Sequence, residues 1–412
     1  MLVGEYRVSR HRAIPAVPTH AIVIGAGLAG CQIAECLAIR GCKVTLIESL
    51  DAPAKATSGN WAGCFLPAPS SDDNLASRFT RAGFLALQQQ LPLLQRHYPD
   101  LSWSACGVLQ MGKDAASEQI QRQTVAALQH PWHHLQYMDR AQASERCGVN
   151  VAAGGWWFPE AGWIRPPSLC QALLVSVAGS VEYHWSTKAT SLQQNNSIWY
   201  VNDASGHLIA EAPVVVIANA ADAVSLLPQM RLPLSRIRGQ ISYLPQGGLS
   251  AFHSVLCRDG YVLPAIDGKH VLGASYDFGE MATDLLESAH QGNMQRLADI
   301  LPGDATHVDT VSLQGRVGFR CVSTDRMPLV GALPNLSHHV NAGTDMARVP
   351  RSDGLYCLLG LGSRGLVWSG IAAELLANQI CGEPWRLERD LAEALDPARF
   401  WLRELRRGKA VD

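Results

Sequence analysis

The chain has 412 residues, of which 47% are hydrophobic and 17% are charged, and its formal net charge is −2. This composition is typical of a globular protein with more than one hydrophobic core, and it excludes the disordered and low-complexity classes. The small net charge provides no global attraction to nucleic acid or to anionic membranes. A polyanionic partner would therefore have to bind a local basic patch.

Cysteine usage and hydropathy indicate the compartment. The chain has 11 cysteines, and none of them forms a Cys-x-x-Cys pair. This pattern is typical of reduced thiols rather than of a disulfide framework or a zinc site. Residues 1–19 lack the basic start and apolar run of a secretion signal, and no later window holds eighteen uninterrupted apolar residues. We expect a cytoplasmic protein with no membrane span and no metal.

A glycine loop near the start of the chain lies between a predicted strand and a predicted helix. Residues 21–24 predict the strand, residues 28–40 the helix, and Lys43–Ile47 a second strand. The loop has the pattern G-x-G-x-x-G, in which glycines permit a tight turn and let a pyrophosphate reach the helix N-terminus. Its residues are Gly25, Gly27, Leu28, Ala29 and Gly30, and Glu48 follows the second strand, where a carboxylate can bind ribose hydroxyls. The unit predicts dinucleotide binding.

The rest of the chain predicts a return to the first sheet and a second sheet. Residues 181–210 resemble an antiparallel meander, and the apolar run 214–218 is typical of a buried parallel strand that rejoins the first sheet. The predicted strands of the second sheet are residues 238–244, 254–256, 261–264 and 270–274, with a helix at 283–300 packed on them. Predicted helices also cover residues 74–96, 117–128, Arg140–Cys147, 166–177 and 366–380.

The glycine loop alone does not separate FAD from a nicotinamide cofactor. A nicotinamide-dependent dehydrogenase usually continues with further strand–helix units, whereas this chain enters a polar loop and ends with a second glycine turn, which favours FAD. The polar loop contains Ser58, Gly59, Asn60 and Gly63, and the second turn contains Gly362, Ser363, Arg364, Gly365 and Leu366. Backbone N–H groups of this turn can bind the flavin pyrimidine. An ordinary strand-to-helix turn is the alternative.

Three further features have competing interpretations. Arg320 ends an apolar run and can bind a carboxylate in a pocket, but composition alone favours a surface arginine. Tyr261, on a predicted strand, is by type more often a core aromatic than a ligand contact. Arg399, Arg403 and Arg406 fall on one face of a predicted last helix, which is either a phosphate-binding surface or a solvated helix end.

Motifs along nearly the whole chain resemble one family, the flavin half of the bifunctional tRNA 5-methylaminomethyl-2-thiouridine biosynthesis enzymes. The matching runs are Ser58-Gly59-Asn60, Asp72-Asp73-Asn74, Gly155-Trp156-Trp157-Phe158-Pro159, Arg238-Gly239-Gln240, Gly273-Ala274-Ser275-Tyr276-Asp277, Gly318 to Cys321, Gly362-Ser363-Arg364-Gly365 and Asp396-Pro397 to Lys409. The broader glycine oxidase and D-amino acid oxidase superfamily shares the fold and fewer of these positions.

The resemblance implies an FAD-dependent oxidoreductase that acts on a CH–NH group in the wobble uridine of tRNA. The carboxymethyl arm of 5-carboxymethylaminomethyl-(2-thio)uridine would be lost oxidatively, leaving 5-aminomethyl-(2-thio)uridine and glyoxylate. The resemblance implies that Arg320 matches the carboxylate-binding arginine of the superfamily and that Tyr261 is similar in position to a substrate-side tyrosine. It also implies that Arg399, Arg403 and Arg406 contact tRNA. We also expect FAD to be bound noncovalently, although Cys321 lies near a position of covalent attachment in sarcosine oxidases.

The chain departs from the family pattern at two places. The loop after Ser-Gly-Asn usually reads Arg-Gln-Gly in the family, where this chain has Trp61-Ala62-Gly63. The methyltransferase half that normally precedes this domain is expected to be absent, with residues 1–12 resembling the end of its linker. A methyltransferase domain or protein is therefore an expected partner, and methylation of the aminomethyl product is not expected of the chain itself.

The expected fold class is α/β, with a Rossmann-like FAD-binding domain and a second, mixed-sheet substrate domain like that of D-amino acid oxidase. The predicted FAD-binding domain is discontinuous and comprises residues 18–82, 150–232 and 326–412. The substrate domain comprises residues 83–149 and 233–325. An FAD-dependent oxidase of free glycine, sarcosine or D-amino acids has the same fold and is the first alternative. A flavoprotein that only binds tRNA or a methyltransferase is the second.

Overall fold

A computed structural model describes residues 17–303, 313–336 and 344–407 of the protein. The linker resemblance of residues 1–12 and the end of the tRNA-enzyme resemblance at Lys409 lie outside the described residues. Within the described ranges, no helix is long and apolar enough to cross a membrane.

Ten α-helices are described, and local sequence explains several of their ends. Asn74 caps one helix by accepting a hydrogen bond from the Ser77 N–H, and Pro166 occupies the first turn of another, where its missing N–H has no cost. In chain order the helices are α1 (Leu28–Ala38), α2 (Leu75–His97), α3 (Ala115–Leu128), α4 (Arg140–Cys147), α5 (Pro166–Ser176), α6 (Ala223–Leu226), α7 (Glu287–Ile300), α8 (Gly365–Cys381), α9 (Arg389–Leu395) and α10 (Ala398–Arg406).

The described strands are numbered in chain order. The first twelve are β1 (His20–Ile24), β2 (Lys43–Ile47), β3 (Gly63–Phe65), β4 (Trp103–Ser104), β5 (Val108–Met111), β6 (Gln136–Met138), β7 (Gly155–Phe158), β8 (Gly162–Ile164), β9 (Val181–His184), β10 (Ser191–Asn195), β11 (Ile198–Asn202) and β12 (Leu208–Ala212). The others are β13 (Val214–Ile217), β14 (Leu234–Pro245), β15 (Val255–Cys257), β16 (Tyr261–Val262), β17 (Lys269–Gly273), β18 (Asp277–Phe278), β19 (Gln314–Ser323), β20 (Leu329–Pro334) and β21 (Arg351–Leu359).

A six-stranded sheet has the order β20-β21-β13-β1-β2-β9 and is parallel except for the edge strand β20. Both of its faces are covered, so its central strands β1 and β13 are almost continuously apolar. Ala21 and Val23 of β1 pack in the core that contains α1, α5 and α8, while Ile22 and Ile24 pack on the other side against the small sheet β10-β11-β12. Because β21, β13, β1, β2 and β9 run parallel, their carboxyl ends lie together at one edge.

A larger sheet of nine strands is built around β14. The sheet has the order β18-β14-β17-β16-β15-β5-β7-β6, and β19 pairs with the other edge of β14. Helix α7 covers one face, where Leu297 and Ile300 share a core with Leu272. The opposite face, here called the inner face, contributes Ile241 and Val271 to the same core as α1 and α8. The inner face therefore lies toward the first sheet and forms one side of the space between the two sheets.

The structure also differs from the sequence predictions in places. Strand β9 belongs to the parallel sheet and pairs with β2, whereas the predicted meander of residues 181–210 included it. Strands β19 and β20 were not predicted as strands. Strand β7 pairs with β5 and β6 in the nine-stranded sheet, although residues 150–232 were assigned to the FAD-binding domain. The domain boundaries themselves stay a prediction.

Candidate active site

One large cleft lies between the carboxyl ends of the parallel strands and the inner face of the nine-stranded sheet. It encloses about 1060 Å³ of empty space, including its open mouth. Three segments contribute lining residues on the side of the parallel sheet: the glycine loop at Gly27–Ala29, the loop at 57–60 except Gly59, and the turn at 360–366 except Arg364. Side chains of Tyr261 and Arg320 belong to the opposite wall. The cleft thus brings together both halves of the predicted site.

The three glycines of the first loop serve different purposes. Gly25 has a φ of +102°, and a Cβ there would lie 2.8 Å from the carbonyl oxygen of Ala218 on the neighbouring strand. A Cβ at Gly30 would overlap the carbonyl oxygen of Gly25, so this glycine permits close packing of α1 on β1. Gly27 is different because a Cβ there would approach only Ser58 and would otherwise occupy the cleft. Gly27 therefore leaves room for a ligand at the N-terminus of α1.

Glu48 lies beside the glycine loop rather than in the lining of the cleft. Its Oε2 accepts a hydrogen bond of 2.7 Å from the Ala26 N–H, and its Oε1 accepts from Ser49 Oγ and from the Leu50 N–H. These bonds fix the carboxylate next to the loop, where its remaining lone pairs can accept from hydroxyl groups. The structure thus places Glu48 as the sequence predicted, while its role in ribose binding stays a prediction.

The polar loop is held by groups from helix α1 and from strand β19. Ser58 Oγ accepts from the Leu28 N–H at 3.1 Å, and Thr57 Oγ1 donates to the carbonyl oxygen of Phe319 at 2.6 Å. Arg316 Nη2 donates to the carbonyl oxygens of Lys55 and Ala56. Gly59 does not line the cleft, and its lack of a side chain is explained by this arginine, which a Cβ would overlap. Ser58, Asn60 and Gly63 do line the cleft.

The second glycine turn connects β21 to α8. Gly360 and Gly362 have φ values of +75° and +57°, and the Gly362 N–H donates to the carbonyl oxygen of Cys321 at 2.9 Å. Gly362, Ser363, Gly365 and Leu366 line the cleft, so the start of α8 is directed at the same space as the start of α1. Arg364 is outside the lining; it is exposed, and its guanidinium lies 5.7 Å from the Trp368 ring.

Arg320 lies on the inner face at the level of Ile237 of β14. Its Nη1 donates to the carbonyl oxygen of Ser275 at 3.0 Å, and its guanidinium lies 5.2 Å from the ring of Tyr276. It forms no ion pair with any described carboxylate. Burial lowers the pKa of Arg320, and the nearby Tyr261, Tyr276 and Asp277 oppose this effect only in part. A partly buried guanidinium that faces a cleft in this state is suited to bind an anion.

Tyr261 lies on the same face, at the level where β16 and β17 pair through Gly273. Burial raises the pKa of its phenol well above the ordinary range, so the hydroxyl remains a hydrogen-bond donor at physiological pH. Cys321 also lines the cleft, and burial raises the pKa of its thiol to about 11. A thiol with this pKa is almost entirely protonated at neutral pH and is a weak nucleophile. The expected absence of a covalent flavin bond stays a prediction.

Several lining residues were not identified from the sequence. They are Thr57, Cys64, Pro166, Ala218, Ala220, Phe319 and residues 358–359. Ala218 follows the strand β13, which pairs with β1, so the rule that ligands bind at the carboxyl ends of parallel strands identifies it once the pairing is known. Among the others, Cys64 has a thiol whose pKa is lowered by a hydrogen bond from Cys257, but no motif in the sequence singles it out. Only their position in the fold brings them to the cleft.

The C-terminal helix α10 separates the three arginines that the sequence placed on one basic face. Arg399 is 7% exposed and donates to both carboxylate oxygens of Asp325 and to three backbone carbonyls. Its guanidinium is therefore occupied inside the protein, which corrects the expectation that it belongs to an exposed phosphate-binding face. Arg403 and Arg406 are exposed, and Arg403 lies 3.4 Å from the same Asp325.

Comparison with known proteins identifies the family. The model of the family described as FAD dependent oxidoreductase matches residues 20–379. The chain belongs to this family. FAD is therefore its cofactor, and the predicted enzyme class is confirmed. The space left by Gly27 and the N-termini of α1 and α8, which meet in the cleft, fit this cofactor. The glycine loop, Ser58 and the turn at Gly362 would hold its phosphates and its ring.

Curated relatives match the whole chain. The tRNA 5-methylaminomethyl-2-thiouridine biosynthesis bifunctional protein MnmC of Azoarcus sp. (strain BH72) is 45% identical over 413 residues, covering 100% of this chain and 65% of the relative. The protein of the same name from Ralstonia nicotianae is 42% identical, and the match covers 95% of this chain and 61% of the relative. The chain therefore spans slightly less than two thirds of the length of these relatives. The resemblance to the oxidoreductase part of these proteins is confirmed.

Solved structures confirm the predicted fold class. Glycine oxidase from Bacillus cereus superposes with a TM-score of 0.72 at 19% identity, covering 91% of this chain and 97% of that chain. L-proline dehydrogenase from P. horikoshii superposes with a TM-score of 0.75 at 17% identity, covering 96% of this chain and 99% of that chain. At this level of identity the likeness defines the fold and leaves the substrate open.

Proposed function

We propose that this chain oxidatively removes the carboxymethyl group of 5-carboxymethylaminomethyl-(2-thio)uridine in tRNA and leaves 5-aminomethyl-(2-thio)uridine. The names of the curated relatives support a tRNA substrate. The structural observation that carries the proposal is Arg320, a partly buried cation that lines the cleft and forms no salt bridge with a carboxylate among the described residues. The leaving arm of this uridine is an N-substituted glycine, which ends in a carboxylate.

Arg320 is placed to anchor that carboxylate. One of its nitrogens donates to the Ser275 carbonyl, and its guanidinium carbon lies 5.2 Å from the centroid of the Tyr276 ring. These contacts limit the orientations of the guanidinium without neutralising its charge. A carboxylate can then bind in a two-point geometry that also fixes the direction of the adjacent methylene carbon. Orientation of the C–N bond is thus set by the anchor rather than by a general base.

The overall reaction converts the CH₂–NH bond of the substrate to a C=N bond, with loss of two electrons and two protons from the substrate. Bound FAD supplies the two-electron oxidant for this step. Addition of water to the C=N carbon then releases glyoxylate and the primary amine. Tyr261 contributes a protonated phenol in the same cleft and is proposed to donate a hydrogen bond to the substrate.

The proposal has consequences for partners and location. A tRNA substrate places the protein in the cytoplasm, and Arg403 and Arg406 are proposed to contact the tRNA backbone from the exposed side of α10. The curated relatives are named bifunctional, and a methyltransferase domain or protein is the proposed partner for the next step. Within the described residues no cluster of side chains that could hold a metal ion is found.

Product analysis tests the proposal. The purified flavoprotein is incubated with tRNA carrying carboxymethylaminomethyluridine, and the digested nucleosides are separated by mass. We expect aminomethyluridine and one equivalent of glyoxylate. An unchanged nucleoside, together with oxidation of free glycine or sarcosine by the same preparation, would replace the proposal with a small-molecule oxidase. An unchanged nucleoside with no amino acid oxidised would leave only a flavin-binding protein.

A further inference from the structure

A second group of side chains lies next to residues that line the cleft and is not needed by the chemistry described above. Trp61 follows the polar loop and lies between two cations: the Arg165 guanidinium is 4.1 Å from its ring centroid, and Lys269 Nζ is 3.6 Å away. Lys269 Nζ is also 4.4 Å from the centroid of Tyr243. The neighbours Asn60, Gly63 and Pro166 line the cleft. We call Trp61, Arg165, Tyr243 and Lys269 the aromatic-cation cluster.

The cluster has more positive than negative charge. Arg165 pairs with Asp267 at 2.7 Å, whereas Lys269 forms no ion pair with any described carboxylate. Burial and repulsion from Arg165 lower the pKa of Lys269, while attraction to Asp267 opposes this effect only in part. Two cations beside a single paired carboxylate repel each other in a partly buried position. An anion bound there would reduce this repulsion.

The cluster also lacks hydrogen-bond acceptors. Trp61 Nε1 and Arg165 Nε are buried donors without an acceptor among the described residues. Buried donors in native proteins are nearly always paired, because an unpaired donor costs free energy. A ligand rich in oxygen atoms would supply acceptors after a small movement of these side chains. The cluster is therefore incomplete in two respects, charge and hydrogen bonding.

Strand register defines where the cluster lies relative to Arg320. Tyr243 and Ile237 are six residues apart on β14, and their side chains share the inner face because that number is even. Arg320 pairs with Ile237 across the sheet. At about 3.4 Å per residue, the backbones at Tyr243 and Arg320 are roughly 20 Å apart along the strand. A free amino acid held by Arg320 is too short to reach the cluster, whereas the nucleotides next to the modified uridine are attached to it by a chain long enough to span this distance.

We infer that the aromatic-cation cluster binds the RNA strand next to the modified nucleotide, with a base stacked on Trp61 or Tyr243 and a backbone phosphate beside Lys269. This inference rests on the proposed function and names the part of the substrate that the second region of the cleft recognises. Aromatic rings accept bases of any sequence, and lysine and arginine neutralise phosphates. A cluster that only held the two sheets together would require neither the excess charge nor the unpaired donors.

Binding measurements on the flavin-loaded protein test the inference. The probe is tRNA with carboxymethylaminomethyluridine at the wobble position, and its dissociation constant is measured over a salt series. We expect Trp61→Ala to raise the dissociation constant roughly tenfold or more, and Lys269→Gln to reduce the slope of log K against log salt by about 0.7–0.9. Trp61→Phe keeps an aromatic ring and Lys269→Arg keeps the charge, so each variant should retain most of the wild-type affinity for tRNA.

Two controls separate RNA binding from folding. Trp132→Ala and Lys188→Gln remove an exposed tryptophan and an exposed lysine elsewhere, and both variants should bind tRNA like the wild type. The flavin absorbance of every variant reports whether the fold is intact. If Trp61→Ala loses its flavin, a cross-linking experiment on the wild-type protein takes the place of this variant. The tRNA then carries 4-thiouridine beside the wobble position, and the expected cross-linked peptide contains Trp61 or Tyr243.

The outcomes also separate this inference from the proposed function. If tRNA reduces the wild-type flavin while the cluster variants keep wild-type affinity and salt slope, or if the cross-link falls elsewhere, the cluster has no role in RNA binding and the proposed function stands. If the wild type neither binds tRNA nor is reduced by it, both proposals are wrong.

Discussion

The two walls of the cleft are built in different ways. On the side of the parallel sheet, the proposed cofactor wall is formed mainly by backbone: Gly27 leaves a space, and the starts of α1 and α8 converge on it. On the inner face of the nine-stranded sheet, the proposed substrate wall consists of side chains on different strands, such as Tyr261 and Arg320. The backbone wall suits a cofactor common to a whole family, whereas the side-chain wall can change with the substrate while the fold is kept.

The largest expected effect is on the side-chain wall. Replacing Arg320 with Ala removes the proposed carboxylate anchor and leaves the backbone wall unchanged. Loss of a partly buried charged partner costs about 3–5 kcal/mol, so kcat/KM for tRNA should fall on the order of a thousandfold. Stopped-flow flavin reduction measures the loss, and the oxidised flavin spectrum should stay normal. Arg320→Lys is the matched control and should retain part of the activity; wild-type kinetics in Arg320→Ala would refute the anchor.

A change in the backbone wall should weaken binding of the flavin, which Arg320→Ala is expected to leave unchanged. A Cβ at Gly30 would overlap the Gly25 carbonyl oxygen, so Gly30→Ala forces the loop away from its position and costs about 1–3 kcal/mol. We expect a several-fold lower ratio of flavin to protein absorbance after desalting. Gly179→Ala is the control because a Cβ there meets nothing within 4 Å. A normal flavin ratio in Gly30→Ala would show that the loop tolerates the displacement.

Tyr261 allows a test of pH dependence. Because burial raises the pKa of its phenol, ionisation is moved to higher pH and the hydroxyl stays protonated between neutral pH and about pH 10. Tyr261→Phe should slow flavin reduction by no more than about tenfold, the value of one hydrogen bond, without changing the shape of the pH profile in this interval. A limb present only in the wild-type profile would mean that the tyrosine titrates during the reaction.

The smallest expected effect concerns the surface outside the cleft. Arg406→Ala should weaken tRNA binding slightly and reduce the slope of log K against log salt by about 0.7–0.9. Arg96→Ala, which removes an exposed arginine from α2, is the matched control. An unchanged slope in Arg406→Ala would remove α10 from the proposed interface and leave RNA binding to the cleft region.

The sequence predicted the backbone wall far better than the side-chain wall. Gly25, Gly27 and Gly30 are recognisable because their spacing follows from local geometry within one strand-loop-helix unit. Arg320 could be assigned only through resemblance, since its surroundings come from residues such as Ser275 that are distant in the chain. A partner distant in the chain has no local sequence signal.

The C-terminal helix illustrates the same limit. Helical spacing correctly places Arg399 and Arg403 close together, but it does not indicate which side of α10 is buried. Asp325 lies 74 residues before Arg399 and accepts hydrogen bonds from its guanidinium with both carboxylate oxygens. This contact holds the Arg399 side of α10 against the protein. The side of a helix that is packed depends on tertiary structure, so the fate of each arginine could not be predicted from the pattern.

The most direct test of the proposed function is anaerobic bleaching of the flavin. The wild-type protein is mixed with tRNA carrying carboxymethylaminomethyluridine and, in parallel, with glycine and with sarcosine, and the flavin absorbance is followed. We predict stoichiometric bleaching by the tRNA and none by the free amino acids within the same period. Bleaching by glycine or sarcosine without bleaching by tRNA would contradict the account and identify the side-chain wall as a site for small amino acids.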